Sequence, residues 1–215
     1  MNKKRFVVMA KSSKKDNYCI AGLELETKKW IRPVSTDSNI EEAIPQQSAF
    51  YYNGESIQIF DVVEVQTIEK PVNNLIQPEN FYYDENVPWK KIGHAELSQI
   101  INWRGFDERQ EIFYNTDRVI SLQSSSESLL WLPVKNLVVN IKIYERKKIY
   151  VNFDFNGKKY YRFCVGDIDL RNKFLNCPAG EHFLANEAIV IFSLTNPFER
   201  DGKCYKMAAQ IFFLK

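Results

Sequence analysis

The chain has 215 residues, of which 45% are hydrophobic and 26% charged, so it can bury a core without disulfides or a metal. This length fits one large domain or two small ones. No apolar run reaches the roughly 18 residues of a membrane-spanning helix, and the apolar start ends at Lys11, too early for a signal peptide. We therefore expect a cytoplasmic protein without a membrane partner.

Charge is unevenly distributed along the chain. Residues 1–32 carry a net charge of +6, residues 33–135 carry −9 and residues 136–215 carry +5, which leaves +2 overall. If the two basic ends are adjacent in space, they form a positive face that attracts phosphates. Alternatively, their lysines are solvated and prevent strand edges from pairing with other chains.

Residues of the kind that carry catalysis or bind metals are few. The four cysteines, at positions 19, 164, 177 and 204, lack the paired spacing of zinc ligands, and we expect reduced thiols, no metal and no cofactor. His94 and His182 belong to no catalytic pattern that spacing reveals, and Asp167 with Asp169 is more typical of a helix cap than of a metal site. The sequence therefore predicts that the protein is not an enzyme.

The N-terminal half predicts short strands joined by polar turns. Strands are predicted at residues 5–10, 18–25, 30–34 and 57–65, and Gly22 indicates a bulge or sharp bend within the second of them. Helical spacing appears only between about residues 96 and 114, in two pieces that Gly105 separates. This half therefore predicts a small β structure with a helical insertion.

The C-terminal third gives the clearest pattern. Asn156-Gly157 separates two alternating segments, residues 148–155 and 158–165, which is typical of a hairpin with a two-residue turn. That turn places Phe155 opposite Lys158 and Phe153 opposite Tyr160. Strands are also predicted at 119–122, 129–132, 188–194 and 205–213. We predict an all-β-dominated chain of two small barrels, residues 1–125 with the helical insertion and residues 126–215.

Several segments resemble the prokaryotic dual-OB-containing domain family. The most specific is Trp30-Ile31-Arg32-Pro33-Val34-Ser35; the others are residues 6–14, 19–22, 61–65, 77–81, the hairpin at 155–160 and the strand at 205–211. The resemblance spans nearly the whole chain and implies two OB-like barrels packed together. It implies no activity and lends no catalytic residues.

Basic and aromatic residues are the candidates for a binding site. OB barrels often bind oligonucleotides or oligosaccharides, and single-stranded nucleic acid needs positive charge together with aromatic faces for stacking. The candidates for this role are Lys11, Lys14, Lys15, Trp30, Arg32, Lys158, Tyr160 and Arg162. Alternatively, Trp30 and one of Tyr160 and Tyr161 lie in the core, and Arg32 forms an ion pair with Glu79 or Asp61.

Gln77, Glu79 and Asn80 are further candidates, either for reading a base or sugar edge or for turning the backbone around Pro78. We predict a non-catalytic binding module whose partner is single-stranded nucleic acid or a nucleotide. The alternative is a protein-protein interaction subunit or accessory domain of a larger prokaryotic system. Its basis is that the basic ends can be neutralised by the acidic middle of the same chain.

Overall fold

A computed structural model describes residues 2–14 and 16–214, and these residues form two compact units. The first unit contains Met1–Asn74 and Pro78–Gly105, and the second contains Leu75–Gln77 and Phe106–Lys215. Each unit is built on one six-stranded sheet, and each described sheet is mainly antiparallel. The prediction of a mostly β fold is confirmed. No helix in the described ranges is long and apolar enough to cross a membrane.

Six strands form the first unit. They are β1 (Lys3–Lys14), β2 (Asn17–Glu24), β3 (Trp30–Val34), β4 (Asp61–Gln66), β5 (Asn80–Tyr82) and β6 (Lys90–His94), in the sheet order β5-β3-β2-β1-β4-β6. Helix α1 (Leu97–Arg104) follows β6 and begins with a capping box between Glu96 and Gln99. Among the described strands of this unit, β3 and β5 are the pair that runs in parallel, and the bridge Thr67–Tyr83 links the ends of β4 and β5.

The second unit repeats this pairing scheme. Its strands are β7 (Val119–Ile120), β8 (Leu129–Ile143), β9 (Lys147–Phe155), β10 (Lys158–Val165), β11 (Gly180–Leu194) and β12 (Cys204–Phe213), with α2 (Ile168–Phe174) between β10 and β11. β8 pairs with β9 and β11, β9 with β10, β11 with β12, and β10 pairs in parallel with β12. Strands β1 to β5 of the first unit pair in the same way as β8 to β12 of the second, although the sequence shows no residue-level repeat.

Two features of the helical insertion and the domain boundary differ from the predictions. The first helical piece is α1, but the second, around Ile112 and Phe113, is irregular because Phe113 and Tyr114 have positive φ angles of 47° and 73°. The two units meet along the chain at Gly105–Phe106, earlier than the predicted boundary after residue 125. Phe106 packs edge-on against Trp131 at 5.0 Å, and Asp107 accepts the Trp131 amide, so this segment belongs to the second unit.

The predicted hairpin is confirmed, and its register changes beyond the first three pairs. Asn156 and Gly157 both have positive φ, and Phe155–Lys158, Asp154–Lys159 and Phe153–Tyr160 are opposite each other. The next pair is Phe163–Val151, so Tyr161 and Arg162 together oppose Asn152 in a β-bulge. The bulge turns Phe163 into the core beside Tyr160 and Phe153.

Lys206 is the most unusual residue of the second core. It is 1% exposed, and its ammonium donates to the carbonyl oxygen of Ile112 at 2.6 Å and to the carbonyl and Oδ1 of Asn115, both at 2.7 Å. Burial lowers the pKa of Lys206 from 10.5 to about 8, against the opposing charges of Asp117 and Glu111. These bonds hold residues 106–118, which we call the strap, onto β12.

Gly22 is required by a close approach between strands. A Cβ there would clash with the carbonyl oxygen of Val7 and with the ring of Phe6, at the bulge where β1 slips against β2. We expect Gly22→Ala to lower the free energy of unfolding by about 1–3 kcal/mol, because overpacking forces the strands apart. Gly93→Ala is the control, since its Cβ would meet Val62 at an ordinary 3.7 Å. Equal urea midpoints for both variants would contradict this explanation.

Replacing Lys206 tests the strap. Lys206→Met removes the ammonium donor from the carbonyl oxygens of Ile112 and Asn115 and from Asn115 Oδ1, and we expect a loss of about 1–3 kcal/mol in the free energy of unfolding at neutral pH. Between about pH 8 and 10.5 the unfolded chain holds this proton more tightly than the folded one. The stability of the wild type relative to Lys206→Met should therefore rise with pH in that window. Urea titrations at several pH values measure it, and a falling difference would contradict the burial of a charged amine.

Candidate nucleic-acid interface

The predicted lysines of the first unit already have partners within the protein. Lys11 donates to the carbonyl oxygen of Ile57 at 2.9 Å and lies over the ring of Tyr18 at 4.5 Å. Lys14 donates to the carbonyl oxygen of Glu41 at 2.7 Å, and its ammonium is 3.6 Å from the carboxylate of the same residue. Lys15 lies outside the described residues.

Arg32 forms a buried ion pair. Its guanidinium is 2.9 Å from the Glu79 carboxylate, and the two side chains are only 8% and 7% exposed. Asn80 lies opposite Arg32 where β5 pairs with β3, so these residues join two strands of the first unit. Of the two partners considered for Arg32, the structure shows Glu79. An ion pair this deeply buried holds the arginine inside the protein.

Trp30 is half-buried and takes part in a contact with helix α1. The Arg104 guanidinium lies 5.7 Å from its ring centre, and Lys28 similarly covers Trp103 at 5.4 Å. Lys28 also donates to the carbonyl oxygen of Trp103 at 2.8 Å. These paired contacts attach α1 to the turn between β2 and β3.

Three residues of the second unit that were predicted to bind a ligand instead contact other residues of the protein. Tyr160 is fully buried and stacks on Phe153 at 5.3 Å, so no face of its ring is open to a base. The prediction that Tyr160 contacts a ligand is therefore wrong. The alternative, that one of Tyr160 and Tyr161 lies in the core, is the one that the structure shows. Lys158 pairs with Glu111 at 2.5 Å. Gln77 is buried and donates to the carbonyl oxygen of Leu194 at 2.8 Å.

Arg162 is half-buried and lies on the outer side of β10. The β-bulge places it and Tyr161 on the side opposite to the core, because Tyr160 and Phe163 on either side face inward. Asn152 stabilises this geometry, because its Oδ1 accepts a hydrogen bond of 2.9 Å from the backbone N–H of Arg162. The Arg162 guanidinium then contacts the Tyr144 hydroxyl at 3.3 Å. An arginine at a left-handed φ of 62° is unusual and depends on this support.

A larger basic and aromatic surface surrounds Arg162 on the outer side of β9, β10 and β12. Cys164 lies at its centre, opposite Tyr150 on β9 and Met207 on β12. Tyr144 and Tyr161 are 56% and 55% exposed. We call this surface the basic face; it contains Arg118, Tyr144, Lys148, Tyr150, Asn152, Tyr161, Arg162, Cys164 and Arg171.

The electrostatic surroundings of Cys164 and Tyr150 include the cations of the basic face. Burial raises the pKa of the Cys164 thiol, while the positive charges of Arg118, Lys148 and Arg171 act in the opposite direction. Burial likewise raises the pKa of Tyr150, against the charges of Arg118 and Arg162. Residues from the strap, two strands and helix α2 therefore direct positive charge at one patch.

Unlike Lys14, Arg32 and Lys158, the cations Arg118, Lys148, Arg162 and Arg171 have no carboxylate partner among the described residues. Within residues 2–14 and 16–214, no Asp or Glu oxygen lies within 4.0 Å of the side-chain nitrogens of Arg118, Lys148, Arg162 or Arg171. Phosphate groups of a ligand could therefore take this role without displacing an internal ion pair. In the same part of the chain, no three His, Cys, Asp or Glu side chains are placed to hold a metal ion.

Most residues of the basic face were not among the candidates predicted from the sequence. Lys148, Tyr150 and Asn152 alternate along β9 with Val151 and Phe153 of the core, and Tyr150 is itself only 8% exposed. This period-2 spacing was available in the sequence. Arg118 and Arg171 come from the strap and from helix α2, so only the fold brings them near β10.

Comparison with known proteins agrees with the strand pairing. Residues 4–211 match the family described as dual OB-containing domain, and the chain therefore belongs to this family. No curated protein sequence matches the chain. A dual OB domain is a binding-module fold, and its barrels commonly bind ligands on the face of the second and third strands. In the second unit these are β9 and β10, which carry much of the basic face.

Proposed function

We propose that the basic face binds single-stranded nucleic acid or a nucleotide. The observation that carries this proposal is the grouping of Arg118, Lys148, Arg162 and Arg171 around Cys164 and Tyr150, next to two exposed tyrosines, with no carboxylate partner for these cations among the described residues. Positive charge attracts the phosphate backbone, and exposed tyrosine rings allow bases to stack. Binding of this kind requires no chemical step. The four free cysteines agree with action in the reducing cytoplasm.

A second candidate function is a protein-interaction subunit or accessory domain of a larger prokaryotic system. It is favoured by the pairing of Lys14, Arg32 and Lys158 with Glu41, Glu79 and Glu111. These three pairs show internal neutralisation of basic residues by acidic ones, which is what this alternative predicts. We place it second because it does not account for the cations of the basic face.

Charge removal on the basic face tests the first proposal. We expect Arg162→Gln to weaken binding of a labelled single-stranded oligonucleotide about tenfold or more, since a charge-assisted contact contributes about 1.5–3 kcal/mol. The slope of log affinity against log salt should fall by about one phosphate contact. Lys158→Gln is the control, because Lys158 is already paired with Glu111 and lies outside the basic face. Fluorescence anisotropy measures both variants.

The result that would contradict the proposal is equally specific. If the wild type does not bind the oligonucleotide at low salt, or if Lys158→Gln and Arg162→Gln lose affinity equally, the basic face is not the binding site. The protein-interaction role then becomes the better account.

Stacking can be tested separately from charge. We expect Tyr161→Ala to lose about 1–3 kcal/mol of binding free energy with an unchanged salt slope, because a stacked base contributes about this much. Tyr52→Ala is the matched control, since Tyr52 is 92% exposed and lies in the first unit. A Tyr161→Ala variant with wild-type affinity would show that no base stacks on this ring.

A further inference from the structure

The first unit contains a fully buried carboxylate with four hydrogen-bond donors. Asp61 begins β4 and is 0% exposed. Its Oδ2 accepts hydrogen bonds from the Tyr51 hydroxyl at 2.7 Å and from the backbone N–H of Gln58 at 3.0 Å. Its Oδ1 binds the Lys91 ammonium at 2.6 Å and His94 Nδ1 at 3.1 Å. Burial raises the pKa of Asp61, but the four hydrogen bonds outweigh burial and hold that pKa below its ordinary value. Asp61 is therefore a buried negative charge.

A β-bulge brings Lys91 and His94 together. Lys91 and His94 are three residues apart on β6 and would face opposite sides of a regular strand. The register shifts by one residue between the pairs Val62–Gly93 and Val63–Lys91, which leaves Ile92 unpaired. Lys91 and His94 then share one oxygen of Asp61. Bulges that re-aim side chains in this way are frequent beside active sites.

The backbone before Asp61 is strained. Phe60 has a φ of 69°, a left-handed conformation that is an outlier for a bulky residue. It is held there because its amide donates to the Val8 carbonyl at 2.7 Å and its own carbonyl accepts the Ala95 amide at 2.9 Å. Such strain is found preferentially at functional sites, where the surrounding structure maintains it.

The resulting geometry is that of a general base with its orienting carboxylate. The His94 side chain is 49% exposed, while its Nδ1 is held by a carboxylate that is itself buried. Donation from Nδ1 to Asp61 leaves Nε2 as the proton acceptor. Lys91 is 40% exposed and lies within about two hydrogen-bond lengths of the imidazole, because both bind the same oxygen. It can therefore stabilise negative charge next to the base.

The cluster provides no nucleophile of its own. Within residues 2–14 and 16–214, no hydroxyl or thiol hydrogen-bonds to the His94 ring. A substrate that carries its own nucleophile beside the scissile bond completes the set. RNA is such a substrate, since its 2′-hydroxyl is adjacent to the 3′-phosphodiester, whereas DNA lacks that hydroxyl.

We propose that His94 and Lys91 catalyse cleavage of single-stranded RNA by attack of the 2′-hydroxyl on the adjacent phosphorus. The 2′-hydroxyl proton moves to His94 Nε2, the bond from O2′ to phosphorus forms, and the bond from phosphorus to O5′ breaks. The departing O5′ takes a proton from water, and His94 returns its proton to the hydroxide that remains. The products are a 2′,3′-cyclic phosphate and a 5′-hydroxyl end. Lys91 stabilises the charge on the phosphoryl oxygens, and Asp61 is a positioning residue.

This inference rests on the proposed function, because it takes the nucleic-acid ligand to be RNA. Binding and cleavage are therefore measured separately on the full chain. A 2′-O-methyl RNA reports binding without cleavage, and the same sequence as RNA, labelled at its 5′ end, reports cleavage. EDTA is present to suppress contaminating metal-dependent nucleases. We expect the RNA to yield 2′,3′-cyclic phosphate ends, and a substrate with a single 2′-deoxy residue to resist cleavage at that position.

Variants assign the chemistry to this cluster. We expect His94→Gln to lower the cleavage rate about 10²- to 10⁴-fold, the range of general acid–base contributions. His182→Gln is the matched control, since the other histidine lies in the second unit and contacts only the Pro178 carbonyl among the described hydrogen bonds. Added imidazole should restore cleavage by His94→Ala. Lys91→Met should lower the rate about 10²-fold, as for a lost transition-state donor.

The positioning role of Asp61 is tested by comparing kcat with KM in an Asp61 variant. We expect Asp61→Asn to lower kcat at least about tenfold with KM unchanged, because an amide favours the wrong imidazole tautomer. A urea unfolding curve checks that this variant is folded, and the His94 variants carry the test if it is not.

The possible failures are distinguishable. Binding of the 2′-O-methyl RNA without cleavage of the RNA would overturn the catalytic inference and leave the proposed function intact. Absence of binding would overturn the proposed function. Cleavage that His94→Gln and His182→Gln retain equally would show a contaminant and would also overturn the inference.

Discussion

Strand alternation allows each residue of a regular strand to face only one side of its sheet. Both candidate sites depend on places where one extra residue breaks that alternation. In β10 the bulge at Tyr161 and Arg162 sends both side chains outward while Phe163 returns to the core. In β6 the unpaired Ile92 lets Lys91 and His94 reach the same carboxylate. An extra residue costs ladder hydrogen bonds, so each bulge persists because neighbouring groups hold it. Asn152 does this for Arg162, and Asp61 does it for β6.

Ion pairing within the protein neutralises three of the cations predicted to bind nucleic acid. Lys14, Arg32 and Lys158 each bind a glutamate of the acidic middle segment. Arg32 and Glu79 are nearly fully buried, and the loss of either would leave an uncompensated charge inside the protein. The exposed pairs contribute little to stability, but they still cancel the local field. The remaining positive field therefore comes from residues whose neighbours are tyrosine, cysteine and methionine rather than carboxylates.

Much of the fold could be predicted from the sequence, because turn chemistry and β-branched periodicity are local signals. Asn156-Gly157 fixed the hairpin register through Tyr160, and the prediction that Asp167 caps a helix is confirmed by its bond to the Leu170 amide. The bulge at Arg162 has no glycine or proline to indicate it. The long-range partners of Asp61 could not be predicted either, since Tyr51, Lys91 and His94 approach it only through sheet pairing and loop folding.

The two units share one pairing scheme but use their surfaces differently, and the difference follows from what connects the strands. Between the third and fourth strands, the first unit has a long polar loop that supplies Glu41 to Lys14 and Tyr51 to Asp61. The second unit has the short helix α2 at the equivalent place, and it contributes Arg171 to the basic face. One connection therefore brings acidic and hydroxyl groups that engage the cations of its own unit. The other adds positive charge at the protein surface. The same strand scheme therefore carries a buried carboxylate with hydroxyl, ammonium and imidazole partners in one unit and the basic face in the other.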